Sequence, residues 1–397
     1  MSLAANNCGV VTTFAPGPAT PCPFPFAFLE GAPDPAPQCQ YPFLEGAPGT
    51  DTGAQPYVHV TDQFGVPVAG ASVAFTVAPS GGVTLNSASG HPACSPSSSS
   101  ASIVCPTDQF GWAWMNVVLG SAVGQPAVTF VAAGQSGTFY ANIQAPPAIL
   151  TGGVADAAAY TTTLVPGSYA AIFGSALSDA ASDIYSLQCP AGACVYPLSF
   201  DAVSVSFDAG GETYPGYPYF VSPNQVNVVV PWELEGQTSA QVKLSIDAPW
   251  GATLFSNVIT VPIANYAPAF FVSCGAVCAL DYPGYHLITT GNPAKRGQVI
   301  MVYANSLGPV TNPQGDGVPA SGTNLSVTTT TPIVTIGGAQ AQVGWSGLAP
   351  GYQGLYQINL TVPDDSQTGS AVPISLQIGG ATSPAQVVGT AVTIPVQ

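Results

Sequence analysis

The side chains with the clearest chemical potential in this sequence are nine cysteines, six of which form three close pairs along the chain. These pairs are Cys94 with Cys105, Cys189 with Cys194, and Cys274 with Cys278. A structural zinc site is typically built from Cys-x2-Cys pairs at a matching distance, whereas these spacings differ and lie in separate regions. The pattern therefore predicts three local disulfides, which are typical of exported proteins.

The other three cysteines, Cys8, Cys22 and Cys39, lie close to the N-terminus. Because the total is odd, at least one cysteine is either a free thiol or bonded to another chain. Residues 1–8 contain neither the basic nor the apolar region of a signal peptide, so no intact signal peptide is expected.

Catalytic chemistry has weak support in this sequence. The three histidines, His59, His91 and His286, do not stand beside a nucleophile motif. Ser346 lies in Gly344-Trp345-Ser346-Gly347, which fails the Gly-x-Ser-x-Gly spacing of a nucleophile elbow. The sequence therefore predicts no catalytic residues and no enzyme.

Metal binding is also weakly supported. Asp316, Asp364 and Asp365 lie in turn-like stretches, where carboxylates commonly accept hydrogen bonds from backbone amides. Calcium is the alternative, but the compact Asp-x-Asp-x-Asp-Gly spacing of a calcium loop is missing. We therefore predict no metal site and no cofactor.

Paired amides recur in the C-terminal part as Gln225 with Asn227 and Gln357 with Asn359. They are consistent with a sugar-binding pair, but hydrogen bonds to an adjacent loop explain both copies with one structural role. Tyrosines and tryptophans leave a similar choice between a carbohydrate platform and ordinary cores and interfaces.

The elements that would position these residues are short strands. From Tyr57 the sequence alternates with period two, and turn signals such as Thr61–Gly65 and Thr107–Gly111 separate the apolar runs. This pattern favours a β-sandwich. Residues 55–147 resemble the bacterial Ig-like domain of the invasin/intimin type, and the resemblance rests on Val60–Asp62, Gly65–Ala71 and Thr107–Gly111.

The rest of the chain is a tandem repeat. Residues 166–177 align with the stretch from 295 to 307, where Gly297, Val302, Tyr303 and Leu307 lie 130 positions after their counterparts. Gln225–Pro231 aligns with Gln357–Pro363 at an offset of 132. Further blocks follow in the same order, which indicates duplication. We therefore predict two homologous sandwiches, at 148–266 and 267–397.

The duplicated unit resembles the Solibacter uncharacterised C-terminal domain, a family of acidobacterial exported proteins. The matching residues are Pro166–Ser168, Ile172–Gly174, Val221–Val228, Asn292–Gly297, Leu307–Pro309, Gly347–Gly351 and Gly354–Asn359. The resemblance covers about 240 residues and implies an exported protein. It implies no particular reaction.

Residues 1–54 read as a Pro-rich extended arm rather than a domain, because dense proline disfavours interior strands. The arm contains a hexapeptide repeat, with Phe28–Pro33 returning as Phe43–Pro48. Its aromatic residues are Phe24, Phe26, Phe28, Tyr41 and Phe43. We expect these side chains to pack either on the neighbouring domain or on another subunit, and we predict that the arm mediates assembly.

Composition narrows the function classes. The chain has three basic residues against nineteen acidic ones and a net charge of −16, which excludes a phosphate-binding nucleic-acid surface. No apolar run approaches the roughly 20 residues of a membrane span. Only 6% of the residues are charged, and interface cores are similarly poor in charge. The predicted function is an exported structural protein that assembles with itself at the cell surface or outside the cell, and the alternative is an adhesion or glycan-binding module.

Overall fold

In the residues that the computed structural model describes, the chain forms β-strands, connecting turns and a short 3₁₀ helix at Trp232–Leu234. The described residues are 10–11, 44–51, 53, 55–62, 64–96, 101–132, 134–178, 182–185, 194–247, 253–273 and 276–397. The predicted all-β fold with tandem β-sandwiches is confirmed. Two compact units are present: residues 1–146 with 247–254, and residues 147–246 with 255–397.

The first unit contains a sandwich of two sheets. Its strands are β1 (Val10–Val11), β2 (Leu44–Gly46), β3 (Tyr57–Thr61), β4 (Ser72–Ala78), β5 (Val83–Ser87), β6 (Ser95–Pro96), β7 (Ser102–Pro106), β8 (Trp112–Leu119), β9 (Ala127–Ala132) and β10 (Gln135–Ile143). The sheet orders are β1-β3-β8-β5 and β2-β10-β9-β4-β7-β6. Every second residue of β8 is buried, as period-two alternation requires, and the core is built around Phe75, Met115 and Phe130.

The two copies of the pentapeptide Thr-Asp-Gln-Phe-Gly form the same turn. Asp62 accepts hydrogen bonds from the backbone amides of Phe64 and Val66 at 2.8 and 3.0 Å, and Asp108 accepts them from Phe110 and Trp112 at the same distances. The glycine that ends each copy has a φ of +79°, which L side chains rarely adopt. The repeated sequence therefore encodes a repeated Asx turn.

Parts of the segment predicted as an extended arm belong to this sandwich. Strand β1 pairs antiparallel with β3, and β2 pairs parallel with β10. The amide of Gly49 also donates to the carbonyl of Gly120 at 2.9 Å. The sandwich therefore begins before residue 55, and its N-terminal contributions are short edge strands, the position in a sheet that Pro-rich sequence tolerates. The five arm aromatics lie outside the described residues.

The second unit contains two further sandwiches. The strands of the second sandwich are β11 (Ala148–Asp156), β12 (Tyr169–Ser175), β13 (Asp183–Ile184), β14 (Ser199–Phe200), β15 (Val203–Ala209), β16 (Glu212–Val221), β17 (Gln225–Val229), β18 (Ser239–Ile246), β19 (Leu254–Phe255) and β20 (Ile259–Pro262). They run in the order β11-β12-β17-β16-β15-β18, with β20 also on β18.

The third sandwich has its own large core, which includes Tyr356, Ile300 and Leu376. Its strands are β21 (Ala269–Phe270), β22 (Val272–Ser273), β23 (Ala276–Val277), β24 (Ala279–Asp281), β25 (Val299–Asn305), β26 (Ile333–Ile336), β27 (Ala339–Gln340), β28 (Gln342–Leu348), β29 (Tyr356–Thr361), β30 (Gly369–Ile378), β31 (Ala381–Thr382), β32 (Gln386–Val387), β33 (Thr390–Ala391) and β34 (Thr393–Val396). The main sheets are β21-β25-β29-β28 and β27-β26-β30-β31.

The strand registers of the two C-terminal sandwiches coincide residue by residue. Phe173 faces Gln225 across β12 and β17, and Tyr303 faces Gln357 across β25 and β29. These are the offsets of 130 and 132 that the sequence blocks display. Because a one-residue slip would exchange the buried and exposed faces, matching registers mean matching cores.

Candidate functional site

The most distinctive site in the second unit is the contact between its two sandwiches, which we call the joint. We define it by Asp156, Tyr169 and Trp232 of the second sandwich and by Asn305 and Asp316 of the third. Trp232 and Tyr266 pack against the core of the third sandwich. The joint combines this apolar packing with buried hydrogen bonds.

Asp156 is the centre of the hydrogen-bonded part. It ends β11, is fully buried, and accepts hydrogen bonds from the Asn305 side chain at 2.7 Å and from the Ser306 hydroxyl at 2.5 Å. Two backbone amides of its own loop, those of Ala158 and Ala159, donate at 2.8 and 2.7 Å. Burial raises the pKa of Asp156, and these donors oppose that shift by favouring the charged form.

The side-chain amide of Asn305 also forms hydrogen bonds with the backbone of the other sandwich. Its side-chain nitrogen donates to the Tyr169 carbonyl at 2.8 Å, and its oxygen accepts from the Tyr169 amide at 3.1 Å. A single side chain thereby hydrogen-bonds both backbone groups of Tyr169, the first residue of β12. Such a buried, directional contact specifies one relative placement of the two sandwiches.

A second carboxylate lies near the 3₁₀ helix. Asp316 accepts a hydrogen bond from the Trp232 amide at 3.1 Å and shares a side-chain hydrogen bond with Glu233. Burial, followed by this contact with Glu233, raises the pKa of Asp316 from 3.8 to about 7. Two carboxyl groups in contact favour holding one proton between them.

Aromatic side chains surround the joint. Tyr169 and Tyr196 each lie about 5 Å, centroid to centroid, from Tyr219. The amide of Tyr196 donates to the carbonyl of Gly317 in the third sandwich at 2.8 Å, and the Gln353 side chain donates to the carbonyl of Cys194. Cys194 is disulfide-bonded, so the segment that reaches the third sandwich is also covalently restrained.

The carboxyl pair of Asp316 and Glu233 makes the stability of the joint depend on pH. Asp316 binds its proton more tightly in the folded chain than in the unfolded chain, so its contribution to stability is complete below about pH 4 and is lost as the pH rises through about 7. We expect the stability difference between the wild-type protein and Asp316→Asn to fall over this range. Urea unfolding of both proteins between about pH 4 and pH 8 measures it.

The matched control is Asp365→Asn, which changes an exposed turn carboxylate of the third sandwich. We expect this variant to follow the wild-type pH dependence. If the stability of Asp316→Asn changes with pH as that of the wild-type protein does, the proton shared by Asp316 and Glu233 makes no contribution to folding.

The predicted disulfides have different outcomes. Cys94 and Cys105 form a disulfide in the first sandwich. For the other two pairs, Cys189 and Cys274 lie outside the described residues, so the pairings with Cys194 and Cys278 stay predictions.

The residues weighed for catalysis have structural partners. The Ser346 side chain is buried and its hydroxyl is hydrogen-bonded to that of Thr328. His59 stacks on Trp112 at 3.7 Å, and its Nε2 lies 3.0 Å from the carbonyl of Phe110. The described part of the chain contains no group of three or more His, Cys, Asp or Glu side chains arranged to hold a metal ion.

The amide pairs differ from the expectation that they bond an adjacent loop. In both sandwiches the glutamine donates to the asparagine two residues along the same strand, at 2.8 Å for Gln225 and 2.7 Å for Gln357. Residues i and i+2 share one face of a strand, so these side chains satisfy each other.

Aromatic rings also form a strip on the first sandwich. Tyr57 contacts Trp112 and Trp114, at centroid distances of 4.8 and 4.3 Å, and His91 stacks on Trp114 at 4.3 Å. With His59 on Trp112, each tryptophan already has one face covered by an imidazole ring. The strip is therefore less suited to receive a sugar ring than a row of open faces would be.

Sequence reasoning missed the joint, because its residues belong to no motif. Asn305 and Ser306 correspond to Ser175 and Ala176 in the other repeat, at the offset of 130. The detectable signal is this difference between otherwise matching repeats. A polar pair that is present in one copy only indicates a contact that the other copy does not make.

Comparisons with known proteins do not assign a family to this chain. No protein-family model and no curated protein match the chain. The Solibacter resemblance therefore stays a prediction. No helix in the described residues is long and apolar enough to cross a membrane.

Solved structures with similarity include the bacterial integrin-binding protein invasin, at 14% identity and a TM-score of 0.20 over 88% of this chain. This chain covers 58% of that invasin chain. The I9–I11 tandem of titin matches at 10% identity and a TM-score of 0.20, over 89% of this chain and 95% of that chain. A calcium-stabilised adhesin of an Antarctic bacterium matches at 13% identity and a TM-score of 0.23, over 87% of this chain and 69% of that chain. Similarity this low carries no argument about function.

Proposed function

We propose that this protein is an exported, non-enzymatic structural protein that assembles with copies of itself into an extracellular filament or surface layer. The observation that carries the proposal is the duplicated hexapeptide of the N-terminal segment. Residues 44–46 of its second copy form strand β2 on the edge of β10, with Leu44 opposite Ala141. The first copy, residues 28–33, has the same sequence and lies outside the described residues.

Identical peptides have the same capacity to pair with a given sheet edge. The second copy occupies the β10 edge of its own chain. An identical peptide from another chain, such as its first copy, would compete for that edge by strand exchange. Exchange of identical edge strands between chains is a low-cost route to association. Repeated head to tail, it generates a polymer.

Two further features suit a structural role. The disulfide between Cys94 and Cys105 is typical of proteins that function outside the cytoplasm. The buried hydrogen bonds of the joint oppose hinge motion between the second and third sandwiches, because separating them would break the bonds from Asn305 and Ser306 to Asp156 and those between Asn305 and the Tyr169 backbone.

The decisive experiment separates the two hexapeptides. We expect deletion of residues 28–33 to abolish polymers seen by negative-stain microscopy and light scattering, while thermal unfolding of the folded sandwiches is unchanged because strands β1 and β2 are both retained. Two matched point variants sharpen the result, since proline removes the backbone donor of a strand. Glu30→Pro is expected to reduce assembly without changing the unfolding temperature. Glu45→Pro is expected to lower the unfolding temperature, because it disturbs β2.

Assembly through the arm is refuted if the truncated protein forms the same polymer, or if the full-length chain stays monomeric at high concentration. Dispersed particles that bind glycans would favour the second candidate, an adhesion or glycan-binding module. That candidate has support from two exposed side chains on the repeated Asx turns, Phe64 and Phe110, which are 80% and 59% exposed.

A further inference from the structure

A cavity of about 270 Å³ opens on the second sandwich. Its floor is made by three adjacent strands, where Ser206 of β15 faces Pro215 of β16 on one side and Lys243 of β18 on the other. The flanking side chains of Leu198 and Phe255 are 57% and 59% exposed. The cavity therefore combines a polar floor with apolar walls.

Ser206 has an unmet hydrogen-bonding requirement. Its hydroxyl is buried and has no partner among the described residues. The neighbouring Lys243 ammonium is directed instead to Asp208, at 3.0 Å, and Asp208 also accepts from the Thr213 hydroxyl at 2.7 Å. A buried hydroxyl without a partner is unfavourable, so a bound hydroxyl group in the cavity would remove that cost.

The third sandwich provides an internal comparison. At the corresponding strand positions Thr335 faces Ser375, and their hydroxyls are hydrogen-bonded at 2.5 Å. Lys243 and Ser375 are related by the repeat offset of 132. The second sandwich, which has the cavity, thus carries a lysine where the third sandwich has the serine of this hydroxyl pair.

The charge of the cavity narrows the ligand class. The hydrogen bond from Thr213, followed by the contact with Lys243, lowers the pKa of Asp208, so the carboxylate is charged at neutral pH and balances the ammonium. The remaining polar groups are hydroxyls, including those of Ser204 and Ser245. An anionic ligand would gain little from a site whose cation is already neutralised.

We propose that this cavity binds one ring of a neutral saccharide. Ser206 would hydrogen-bond a ring hydroxyl, Lys243 would donate to a neighbouring hydroxyl while Asp208 balances its charge, and Phe255 would cover the apolar face of the ring. The volume lies near the lower end of the roughly 300–1,000 Å³ range of ligand pockets, which suits a single ring. This site is independent of assembly through the arm.

The test uses titration calorimetry and saturation-transfer NMR on the full-length protein. The probes are glucose, galactose, mannose and N-acetylglucosamine, with glucuronate and phosphate as anionic comparisons. We expect at least one neutral sugar to bind with a dissociation constant of about 1 mM. Ser206→Ala and Lys243→Ser are each expected to weaken binding about tenfold or more, and Ser375→Ala in the third sandwich to leave it unchanged.

Thermal unfolding supplies a readout that does not depend on choosing the right sugar. Ser206→Ala removes a hydroxyl without a partner and is expected to leave the unfolding temperature unchanged or raised, whereas Thr335→Ala removes a paired one and is expected to lower it. The proposal is overturned if no neutral sugar binds, if anions bind more tightly, or if binding is insensitive to both variants. A sugar-soaked crystal structure with water alone on Ser206 would also overturn it.

Discussion

Asn305→Ala is expected to lower the free energy of unfolding of the second unit by about 2–4 kcal/mol. The substitution removes the two hydrogen bonds to the Tyr169 backbone and the one to Asp156. It leaves the Tyr169 amide and a buried carboxylate oxygen without this partner. Urea unfolding of the full-length protein, followed by calorimetry, measures the change.

Ser175→Ala is the matched control, because Ser175 ends β12 as Asn305 ends β25. Ser175 is exposed, and surface substitutions usually change stability by less than about 0.5 kcal/mol. The calorimetric trace adds an independent test. We expect the loss of Asn305 to broaden or split the transition as the two sandwiches unfold less cooperatively. Equal effects of the two substitutions would show that the joint does not couple the sandwiches.

Local strand register was the most predictable feature of this fold. The blocks that begin at Gln225 and Gln357 were sufficient to predict matching strands, because each block carries its own period-two pattern and its own proline stop. The registers then follow from which face is apolar, and they coincide in the structure. Information of this kind lies within a few consecutive residues.

The joint was not predictable in the same way, because its contacts connect residues far apart in sequence. Asp156 and Asn305 are 149 positions apart, and neither belongs to a recognisable motif. The loop after β24 illustrates the problem. Tyr285 repeats the positive φ of Tyr160, 56° against 57°, and Asp281 takes the place of Asp156. Asp281 is also buried, but it accepts hydrogen bonds from His286 and Asn292, which are close to it in sequence, so only tertiary packing distinguishes the two aspartates.

Composition alone did not reveal that the first sandwich includes short strands from before residue 55. Dense proline correctly disfavours interior strands, but it permits edge strands, and β2 is a three-residue edge strand inside the second hexapeptide copy. Its pairing is parallel, so it has no turn signal that links it to β10. Because nearly the whole domain lies between β2 and β10 in the sequence, no short stretch of residues predicts that they pair.

Gly167→Ala is expected to destabilise the second unit by about 1–3 kcal/mol more than Gly297→Ala. The two glycines are equivalent in the repeats and have the same left-handed backbone, with φ values of +72° and +73°. Both substitutions therefore carry the same conformational cost. Their surroundings differ, because a Cβ on Gly167 would lie 2.0 Å from the Trp232 ring, whereas a Cβ on Gly297 would lie 3.1 Å from a carboxylate oxygen of Asp364.

The difference between the two variants isolates the position of Trp232. An exposed aspartate side chain rotates away at little cost, but the indole ring packs against the core of the third sandwich, and its backbone amide donates to Asp316. Displacing it disturbs both the apolar and the polar parts of the joint. Urea unfolding of the two single variants and of each combined with Asn305→Ala measures the coupling. If Gly167→Ala and Gly297→Ala destabilise equally, and each adds fully to Asn305→Ala, then Trp232 has no part in joining the sandwiches.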